Sequence, residues 1–311
     1  MSLIITGASG SLGRLATQRL LERVPASEVI LVTRKPEALR ALTARGVTVR
    51  FGDFDQPESL RAAFAGGERM LLISTLSVGR RSEQHIHAIR AAIAAGVRYI
   101  AYTSSGGMDA RNPAHVMRDH LPTELMLRDS GSAFTILRDS LYIEAALYQI
   151  APRALAAGKW ISSTGEGRVP FVAKKDCAAC AIEALTDPAH EGKTYEITGP
   201  ELLSYREVAA IASEIDGRAV EYTPVSDEEM AAMLAAAGVP VDYTEGMYTP
   251  GVGTSSIRDI VSYERGVREG FFAIHSNDVE KILRRKPARL REVFALHRQA
   301  LMTDSFPGPS S

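Results

Sequence analysis

The chain has 311 residues, of which 45% are hydrophobic and 23% are charged, and its 36 basic and 37 acidic residues leave a formal net charge of −1. This composition excludes a largely disordered chain, and the near-neutral balance argues against a basic surface made for nucleic acid. Since no apolar run approaches the ~18–20 residues that span a bilayer, we expect a cytoplasmic protein without a nucleic-acid or membrane partner.

Strand-like apolar runs alternate with helix-like segments along the first half of the chain. The strand candidates are nearly continuous in Val, Ile and Leu, as in sheets covered on both faces, and the helix candidates have apolar residues every three or four positions. Repeated β-α-β units predict an α/β fold with a Rossmann-type, doubly wound parallel sheet. The predicted strands are 3–6, 29–33, 47–51, 70–74, 99–104 and 133–137, and the predicted helices are 12–22, 36–44, 58–64, 82–95 and 122–129.

A glycine-rich turn follows the first predicted strand and opens the first predicted helix. In such a turn the first glycine permits the tight bend, the second lets the backbone approach a pyrophosphate, and the third lets helix and strand pack closely. Free N–H groups at the helix N-terminus then face the phosphates. The position of the triplet favours a dinucleotide site over an ordinary turn, and the expected cofactor residues are Gly7, Ala8, Ser9, Gly10, Ser11, Leu12 and Gly13.

The end of the second predicted strand indicates which dinucleotide binds. An NAD site uses an acidic residue there for the ribose 2′-hydroxyl, whereas basic residues accommodate a 2′-phosphate. Here the strand ends in Thr33, Arg34 and Lys35, without an acid. Two cations beside a hydroxyl predict NADP(H), and the alternative is a pair of solvated charges at a helix start.

The second half of the chain has a different rhythm. Predicted strands at 159–162 and 194–197 and helices at 176–186 and 205–215 precede a basic, amphipathic stretch at 277–301. We expect residues 1–150 to form the NAD(P)-binding Rossmann domain and 151–302 a smaller substrate-binding α/β region, partly interwoven with the first. Residues 303–311 are expected to form a disordered tail. The long irregular stretch 243–256 is typical of a lid or binding loop.

Two cysteines, Cys177 and Cys180, lie in one predicted helix of the second half. Such a spacing can indicate a redox dithiol or half of a zinc site. The alanine-rich surroundings, without a second cysteine pair or a nearby histidine in sequence, favour two small core residues one helical turn apart. No metal constellation is visible elsewhere, and we expect no metal.

A series of short motifs occurs in order along residues 1 to about 300, and it resembles the NmrA-like, atypical branch of the short-chain dehydrogenase superfamily. Within that branch the chain is most similar to bacterial NADPH-dependent quinone reductases and triphenylmethane-dye reductases. The motifs are the glycine turn, Thr-Arg-Lys-Pro (33–36), Gly-Asp-Phe (52–54), Leu-Ile-Ser-Thr (72–75), Ala-Tyr-Thr-Ser (101–104), Leu-Arg-Asp-Ser-Leu-Tyr (137–142) and the segment 190–199.

The resemblance implies further site residues. In such proteins the aspartate after the third strand faces the adenine end, residues after the fourth strand border the ribose and nicotinamide, and the loop after the sixth strand closes the nicotinamide side. The cofactor residues carried over in this way are Asp53, Phe54, Ser74, Thr75, Leu76, Thr103, Ser104, Asp139, Ser140, Leu141, Tyr142 and Ile143.

The chain departs from its family after the sixth strand. The quinone reductases usually carry Asn-Gly-Trp-Tyr there, whereas this chain reads Asp139, Ser140, Leu141 and Tyr142. An aromatic wall of the pocket is therefore missing. The added carboxylate of Asp139 either favours a more polar substrate or accepts hydrogen bonds from backbone N–H groups.

Catalytic groups are sparse in the sequence. Ordinary short-chain dehydrogenases use a tyrosine four residues before a lysine, and no tyrosine here has a lysine at that spacing. An electron-poor quinone can accept hydride without a strong acid. His120, expected at the start of the helix that leads to the sixth strand, is a candidate imidazolium proton donor or a surface histidine. Tyr142 is the second catalytic candidate, and His85 and His87 are interpreted as surface residues.

The sequence thus predicts an NADPH-preferring, flavin-free oxidoreductase that transfers hydride to a quinone or another conjugated aromatic compound. One alternative is a non-catalytic NmrA-like regulator that senses the NAD(P) redox state. Another is a reductase or isomerase of a specialised catabolic pathway, with the loop 243–256 shaping its pocket. A homodimer is the expected assembly.

Overall fold

A central sheet of seven parallel strands organises the molecule. The structure is a computed structural model that describes residues 1–298, apart from 245, 246, 248, 250 and 251. Four further short strands form two separate pairs. The strands are β1 (Leu3–Thr6), β2 (Val29–Thr33), β3 (Thr48–Phe51), β4 (Arg69–Leu72), β5 (Tyr99–Ser105), β6 (Ala133–Asp139), β7 (Lys159–Ser162), β8 (Arg168–Val169), β9 (Thr194–Ile197), β10 (Leu203–Ser204) and β11 (Glu221–Pro224).

Helices cover both faces of this sheet and build most of the second half. The helices are α1 (Ser11–Leu21), α2 (Arg40–Thr43), α3 (Pro57–Phe64), α4 (Arg81–Ala94), α5 (Met117–Asp129), α6 (Ile143–Ala145), α7 (Ala151–Ala157), α8 (Lys174–Thr186), α9 (Tyr205–Asp216), α10 (Asp227–Ala236), α11 (Ile257–Arg268), α12 (Asp278–Leu283) and α13 (Leu290–Leu296). Within the described residues, no helix has the length and apolarity needed to traverse a bilayer.

The sheet order β3-β2-β1-β4-β5-β6-β9 reverses direction between β1 and β4. In open parallel sheets, ligands bind in the crevice at the carboxyl ends of the strands at such a reversal. Strands β1, β2 and β4 are buried along their whole length, because helices cover both faces. The Rossmann-type α/β class predicted from the sequence is confirmed.

Each face of the sheet has its own core. One core joins the sheet to α1, α8 and α12, and there small side chains such as Ala181 allow close helix packing. The opposite core joins the sheet to α3, α4 and α5. A third core, which includes Trp160 and Phe294, lies mostly in the second half of the chain. Helix α8 and strand β9 thus return from that half to the central sheet, where β9 pairs with β6.

The two cysteines lie where the sequence predicted them. Cys177 and Cys180 are free, buried and one turn apart in α8, against the core beneath α1. Burial raises the pKa of both thiols. They are therefore small apolar residues of the core, and the interpretation as packing residues is confirmed.

Some predicted element boundaries are wrong. Helix α5 begins at Met117 instead of residue 122, so Pro122 lies inside it. The stretch 36–44 forms a 3₁₀ turn followed by the short α2, because only Leu39 is buried there. The basic stretch 277–301 contains two short helices, α12 and α13, instead of one. Parts of the loop 243–256 and the whole tail 303–311 lie outside the described residues.

Candidate functional site

The glycine-rich turn lies at the sheet reversal, between β1 and α1. Gly7 adopts the left-handed conformation with φ +60°, and the Gly10 N–H donates to the Gly7 carbonyl oxygen over 3.0 Å. A Cβ atom on Gly13 would lie 2.3 Å from that same carbonyl oxygen. Since backbone cannot yield at that distance, only glycine lets α1 approach β1 this closely. The turn therefore has the geometry predicted for it.

The N-terminus of α1 has an uncompensated positive end. No side chain caps it and its first turn contains no acidic residue. In contrast, α9, α10 and α11 each begin with a capping box, from Ser204, Ser226 and Ser256 respectively. Free N–H groups and the helix dipole at α1 therefore suit an anion such as a pyrophosphate.

Three cations surround the end of β2 beside this turn. The Ser9 and Thr33 hydroxyl oxygens lie 2.7 Å apart, and the Lys35 N–H donates to Thr33 Oγ1 over 3.1 Å. Arg14, which the sequence analysis did not select, donates from Nε to the Ser9 carbonyl oxygen over 2.9 Å. Arg14, Arg34 and Lys35 are exposed, and none forms an ion pair with a described residue. The signal for Arg14 was its place in the first turn of α1.

Lys174 is a second residue that sequence reasoning missed. Its Nζ donates to Ser11 Oγ over 3.1 Å and lies 5.3 Å from the Tyr142 ring centroid. Burial lowers the pKa of Lys174. Its backbone N–H donates to both carboxylate oxygens of Glu144. Lys174 therefore connects α8 and the loop after β6 with the glycine turn, a long-range contact with no local sequence signal.

The predicted adenine-side residues follow β3. Asp53 is partly buried, and its Oδ1 accepts from the Asp55 N–H over 3.1 Å. Phe54 is buried, and its carbonyl oxygen lies 3.0 Å from Nδ1 of the partly buried His87. Local hydrogen bonds thus fix the conformation of this segment.

The loop after β4, residues 73–80, borders the sheet reversal and is called the β4–α4 loop. Buried side chains accept hydrogen bonds from its backbone: the Ser74 N–H donates to Thr103 Oγ1 over 2.9 Å, and the Thr75 N–H to His85 Nε2 over 3.2 Å. At the far end, the Gly79 N–H donates to Asp119 Oδ2 over 2.7 Å. These partners come from β5, α4 and α5. The predicted site residue Leu76 is 64% exposed, so its side chain faces outward from this anchored loop.

His85 is buried, and its interpretation as a surface residue is wrong. Because Nε2 accepts from Thr75, the ring proton of the neutral imidazole is on Nδ1, which lies 3.1 Å from Thr123 Oγ1. Burial, together with the nearby Arg81 charge, lowers the pKa of His85 to about 3. His85 is thus a neutral residue that holds the β4–α4 loop.

His120 lies inside α5 and is also buried, contrary to the expectation of a residue before the helix. Arg81 Nη1 is 3.3 Å from His120 Nε2, and arginine can only donate, so the ring proton is on Nδ1. That Nδ1–H donates to the Tyr102 hydroxyl oxygen over 2.6 Å. Burial, followed by the Arg81 and His85 charges, holds the pKa of His120 well below its ordinary value. This low pKa argues against an imidazolium donor near neutral pH.

The loop after β6 contains a buried carboxylate. Tyr142 OH donates to Asp139 Oδ2 over 2.8 Å, and the Cys177 thiol is the second polar neighbour of that carboxylate. Burial raises the pKa of Asp139 to about 7, although both hydrogen bonds oppose the shift. Asp139 thus accepts from side chains and not from the backbone N–H groups considered above.

The other predicted residues near this loop have different surroundings. Ser140 is buried, with its N–H donating to the Ile197 carbonyl oxygen over 3.0 Å, and Leu141 is partly buried. Ser104 Oγ donates to Glu124 Oε1 over 2.8 Å, away from the glycine turn. Ile143 is fully buried in the third core. Because the side chains of Ser104 and Ile143 have other partners, only the backbone atoms of these two residues could contact a cofactor.

Comparison with known proteins identifies the family. The family model described as NAD(P)H-binding matches residues 7–188, so the chain belongs to the NAD(P)H-binding family. Quinone oxidoreductase 2 of Escherichia coli is 38% identical over 81% of this chain and 88% of its own. The structure is similar to that of the NADPH-dependent quinone oxidoreductase from Escherichia coli in complex with NADPH, with a TM-score of 0.86 and 34% identity over 96% of this chain and 99% of the other.

A second solved structure has nearly the same similarity. The triphenylmethane reductase of a Citrobacter species, in complex with NADP(H), has a TM-score of 0.82 and 32% identity over 96% of this chain and all of the other, 100%. The predicted resemblance to quinone and triphenylmethane reductases is therefore confirmed. An oxidoreductase with an NAD(P)H cofactor, as the sequence indicated, is likewise confirmed.

Two substitutions that replace the imidazole of His85 with an amide test the anchoring of the β4–α4 loop. In His85→Gln the side-chain amide replaces Nε2 and keeps an acceptor for the Thr75 N–H, whereas in His85→Asn the amide replaces only Nδ1. We expect the Asn variant to lose about 1–3 kcal/mol of unfolding free energy, because a buried donor is left unpaired, and to bind NADPH more weakly. The Gln variant should stay close to the parent in urea unfolding and NADPH titration. Equal losses in both variants would contradict the role of Nε2.

The pH dependence of stability tests the buried Asp139 carboxyl. Because its pKa is raised in the folded protein, the native state is favoured below the ordinary aspartate pKa of 3.8 and loses stability as pH rises toward about 7. Asp139→Asn cannot ionise but still accepts from Tyr142. It should therefore exceed the parent by about 2–4 kcal/mol above pH 7 and converge with it near pH 4. Urea unfolding from pH 4.5 to 8.5 measures this, with Tyr142→Phe as the control that keeps the carboxyl. Parallel curves for parent and Asn variant would refute it.

Proposed function

We propose that the protein is an NADPH-dependent, flavin-free reductase that transfers hydride to a quinone. The observation that carries the proposal is the unpaired cluster of Arg14, Arg34 and Lys35 beside the uncapped N-terminus of α1. Such a cluster suits a 2′-phosphate next to a pyrophosphate. The name and bound cofactor of the Escherichia coli quinone oxidoreductase support the same chemistry.

The cofactor fits along the carboxyl edge of the sheet. The glycine turn and Lys174 would hold the pyrophosphate, the three cations the 2′-phosphate, and Asp53 and Phe54 would border the adenine. Ser74, Thr75, Leu76 and Thr103 would border the ribose and nicotinamide, and residues 139–143 would close the nicotinamide side. Bound NADPH supplies the hydride. The protein's contribution is to position the two reactants and to exclude water from between them.

Proton supply follows from the same geometry. The candidate acid His120 and the neighbouring His85 are both neutral and hydrogen-bonded on both ring nitrogens. Tyr142 already donates its proton to Asp139. A reduced quinone therefore takes its proton from solvent, and the substrate must be electron-poor enough to accept hydride without a general acid. This requirement favours quinones over ordinary ketones and alcohols.

The predicted domain boundary near residue 150, the homodimer and the cytoplasmic location belong to the same proposal. The region 151–302 would supply the outer wall of the substrate pocket. Of the loop 243–256, Tyr243 OH lies 3.1 Å from Ser77 Oγ in the β4–α4 loop. This contact supports a role for the loop beside the nicotinamide.

Turnover with small quinones tests the proposed activity. We expect NADPH oxidation, followed by its near-ultraviolet absorbance, on addition of neutral benzoquinones and naphthoquinones, and no stimulation by added flavin. A protein that binds NADPH but oxidises it with no member of the panel would support the redox-sensing alternative instead. Saturated ketones of similar size are the matched control, and they should not react.

Cofactor preference tests the cluster after β2. NADPH should bind at least about tenfold more tightly than NADH, because charge-assisted contacts to the 2′-phosphate are each worth roughly 1.5–3 kcal/mol gross. Arg34→Asp should reverse the preference, since its carboxylate repels the phosphate and can accept from a 2′-hydroxyl. Fluorescence titration with both cofactors measures it, with Arg40→Asp on the exposed α2 as the control. Equal dissociation constants in the parent protein would refute the assignment.

A further inference from the structure

The guanidinium of one arginine near the carboxyl edge of the sheet is incompletely hydrogen-bonded. Arg81 is the first residue of α4, directly after the β4–α4 loop. Its Nε is buried without a hydrogen-bond partner among the described residues, and its Nη1 makes only the long 3.3 Å contact with neutral His120. Arg81 forms no ion pair within the described part of the chain.

Two arginines on strands of the central sheet, Arg69 and Arg138, form ion pairs. Arg69 forms an ion pair with Glu191 and donates from Nε to the Leu185 carbonyl oxygen over 2.7 Å. Arg138 contacts Glu124 over 2.8 Å and a second carboxylate on β9 over 3.0 Å. A buried charge without such partners is costly. Arg81 therefore has a hydrogen-bond donor that no described residue of the protein uses.

The surroundings of Arg81 show what it faces. The acidic or phenolic groups in its electrostatic reach are Asp119, Tyr102, Asp259 and Tyr142. These come from α5, β5, α11 and the loop after β6, so the guanidinium lies between the sheet edge and the second half of the chain. Asp119, the charged group with the largest effect on Arg81, accepts from the Gly79 and Ser82 N–H groups. The residue as a whole is partly exposed, although its Nε is buried.

We propose that Arg81 binds the carbonyl oxygen of the substrate and neutralises the negative charge that reduction places on it. The inference rests on the proposed function, because it names the group that recognises the quinone. Hydride transfer oxidises NADPH to NADP⁺ and reduces the quinone to a hydroquinone monoanion, which takes one proton from water on release. A guanidinium aimed at the developing oxyanion stabilises the transition state more than the neutral quinone.

The assignment sets the substrate class. A buried positive charge favours neutral quinones and aromatic anions that carry an oxygen, and it repels cationic aromatic compounds. Among the activities named for the similar structures, it therefore favours quinone reduction over reduction of cationic triphenylmethane dyes. Leu76, exposed in the adjacent loop, offers an apolar contact for the ring.

Binding without turnover is the first test. The probe is 2-hydroxy-1,4-naphthoquinone, an anion at neutral pH, titrated calorimetrically without NADPH. Arg81→Met should weaken the binding of this probe by at least about tenfold. Arg81→Lys should weaken it by less, because lysine keeps the charge but lacks the planar donors of arginine. Arg80→Met removes the neighbouring cation, which pairs with Asp55 over 2.7 Å, and should change binding by less than about twofold. Equal binding in parent and Arg81→Met would overturn the proposal.

Stability and specificity separate this role from a structural one. A merely structural Arg81 would change the melting temperature when replaced and leave substrate selectivity as in the parent, whereas a substrate-binding Arg81 changes selectivity as well. The ratio of kcat/KM for a neutral naphthoquinone to that for a cationic triphenylmethane dye should fall in Arg81→Met, with NADPH affinity unchanged. A destabilised Met variant with the parent's ratio would refute the inference. A parent protein inactive with every quinone would instead overturn the proposed function, and the anion titration would still decide the role of Arg81.

Discussion

The carboxyl edge of a parallel sheet leaves backbone N–H groups without ladder partners, and this protein satisfies them with buried side chains. In the β4–α4 loop, Thr103, His85 and Asp119 accept the N–H groups of Ser74, Thr75 and Gly79. An unpaired buried N–H costs about 1–3 kcal/mol, so these acceptors determine the path of the loop. Side-chain hydrogen bonds thus hold the floor of the crevice in place, although it has no regular secondary structure.

Positive charge is concentrated where α1 begins and β2 ends. Some other helices have capped N-termini, as in α9, where Ser204 and Glu207 form reciprocal hydrogen bonds. Helix α1 has no such group, and the cations at the end of β2 have no acidic neighbour within ion-pair distance among the described residues. Each choice costs some stability in the free protein, and a bound polyanion recovers it. The uncapped start of α1 and the exposed cations beside it together suit a bound polyanion.

Local patterns predicted the features that depend on short stretches of chain. The strands of the central sheet, the glycine turn and the cations after β2 follow from apolar runs, glycine spacing and charge, and these strand positions agree with the structure to within a few residues, whereas β8, β10 and β11 were not predicted. The buried histidines could not be predicted in this way. The buried stripe of α4 contains the polar Gln84 and His85 beside Ala88, Ile89 and Ala92, so hydrophobic periodicity leaves both polar residues out.

Helix α5 illustrates the same limit. Its buried residues include Asp119, His120, Thr123 and Glu124, so the sequence has almost no amphipathic pattern there. Because proline is common at the first position of a helix, the prediction placed the helix start at Pro122. What holds the first turn is tertiary, since Asp119 accepts from Gly79 across the crevice. Lys174 could not be predicted for a related reason, because its importance lies in a contact with the glycine turn that spacing along the chain does not reveal.

The two neutral histidines and the unpaired arginine have one common consequence for chemistry. Arg81 keeps the proton of His120 on the nitrogen that faces Tyr102, and its charge helps to keep both imidazoles neutral. The crevice therefore has positive charge close to the β4–α4 loop but no imidazolium acid near neutral pH. Such a site can stabilise an anion as it forms, and it cannot protonate one in the same step. It suits substrates whose reduced anion is already stable, which is the property that distinguishes quinones from simple carbonyl compounds.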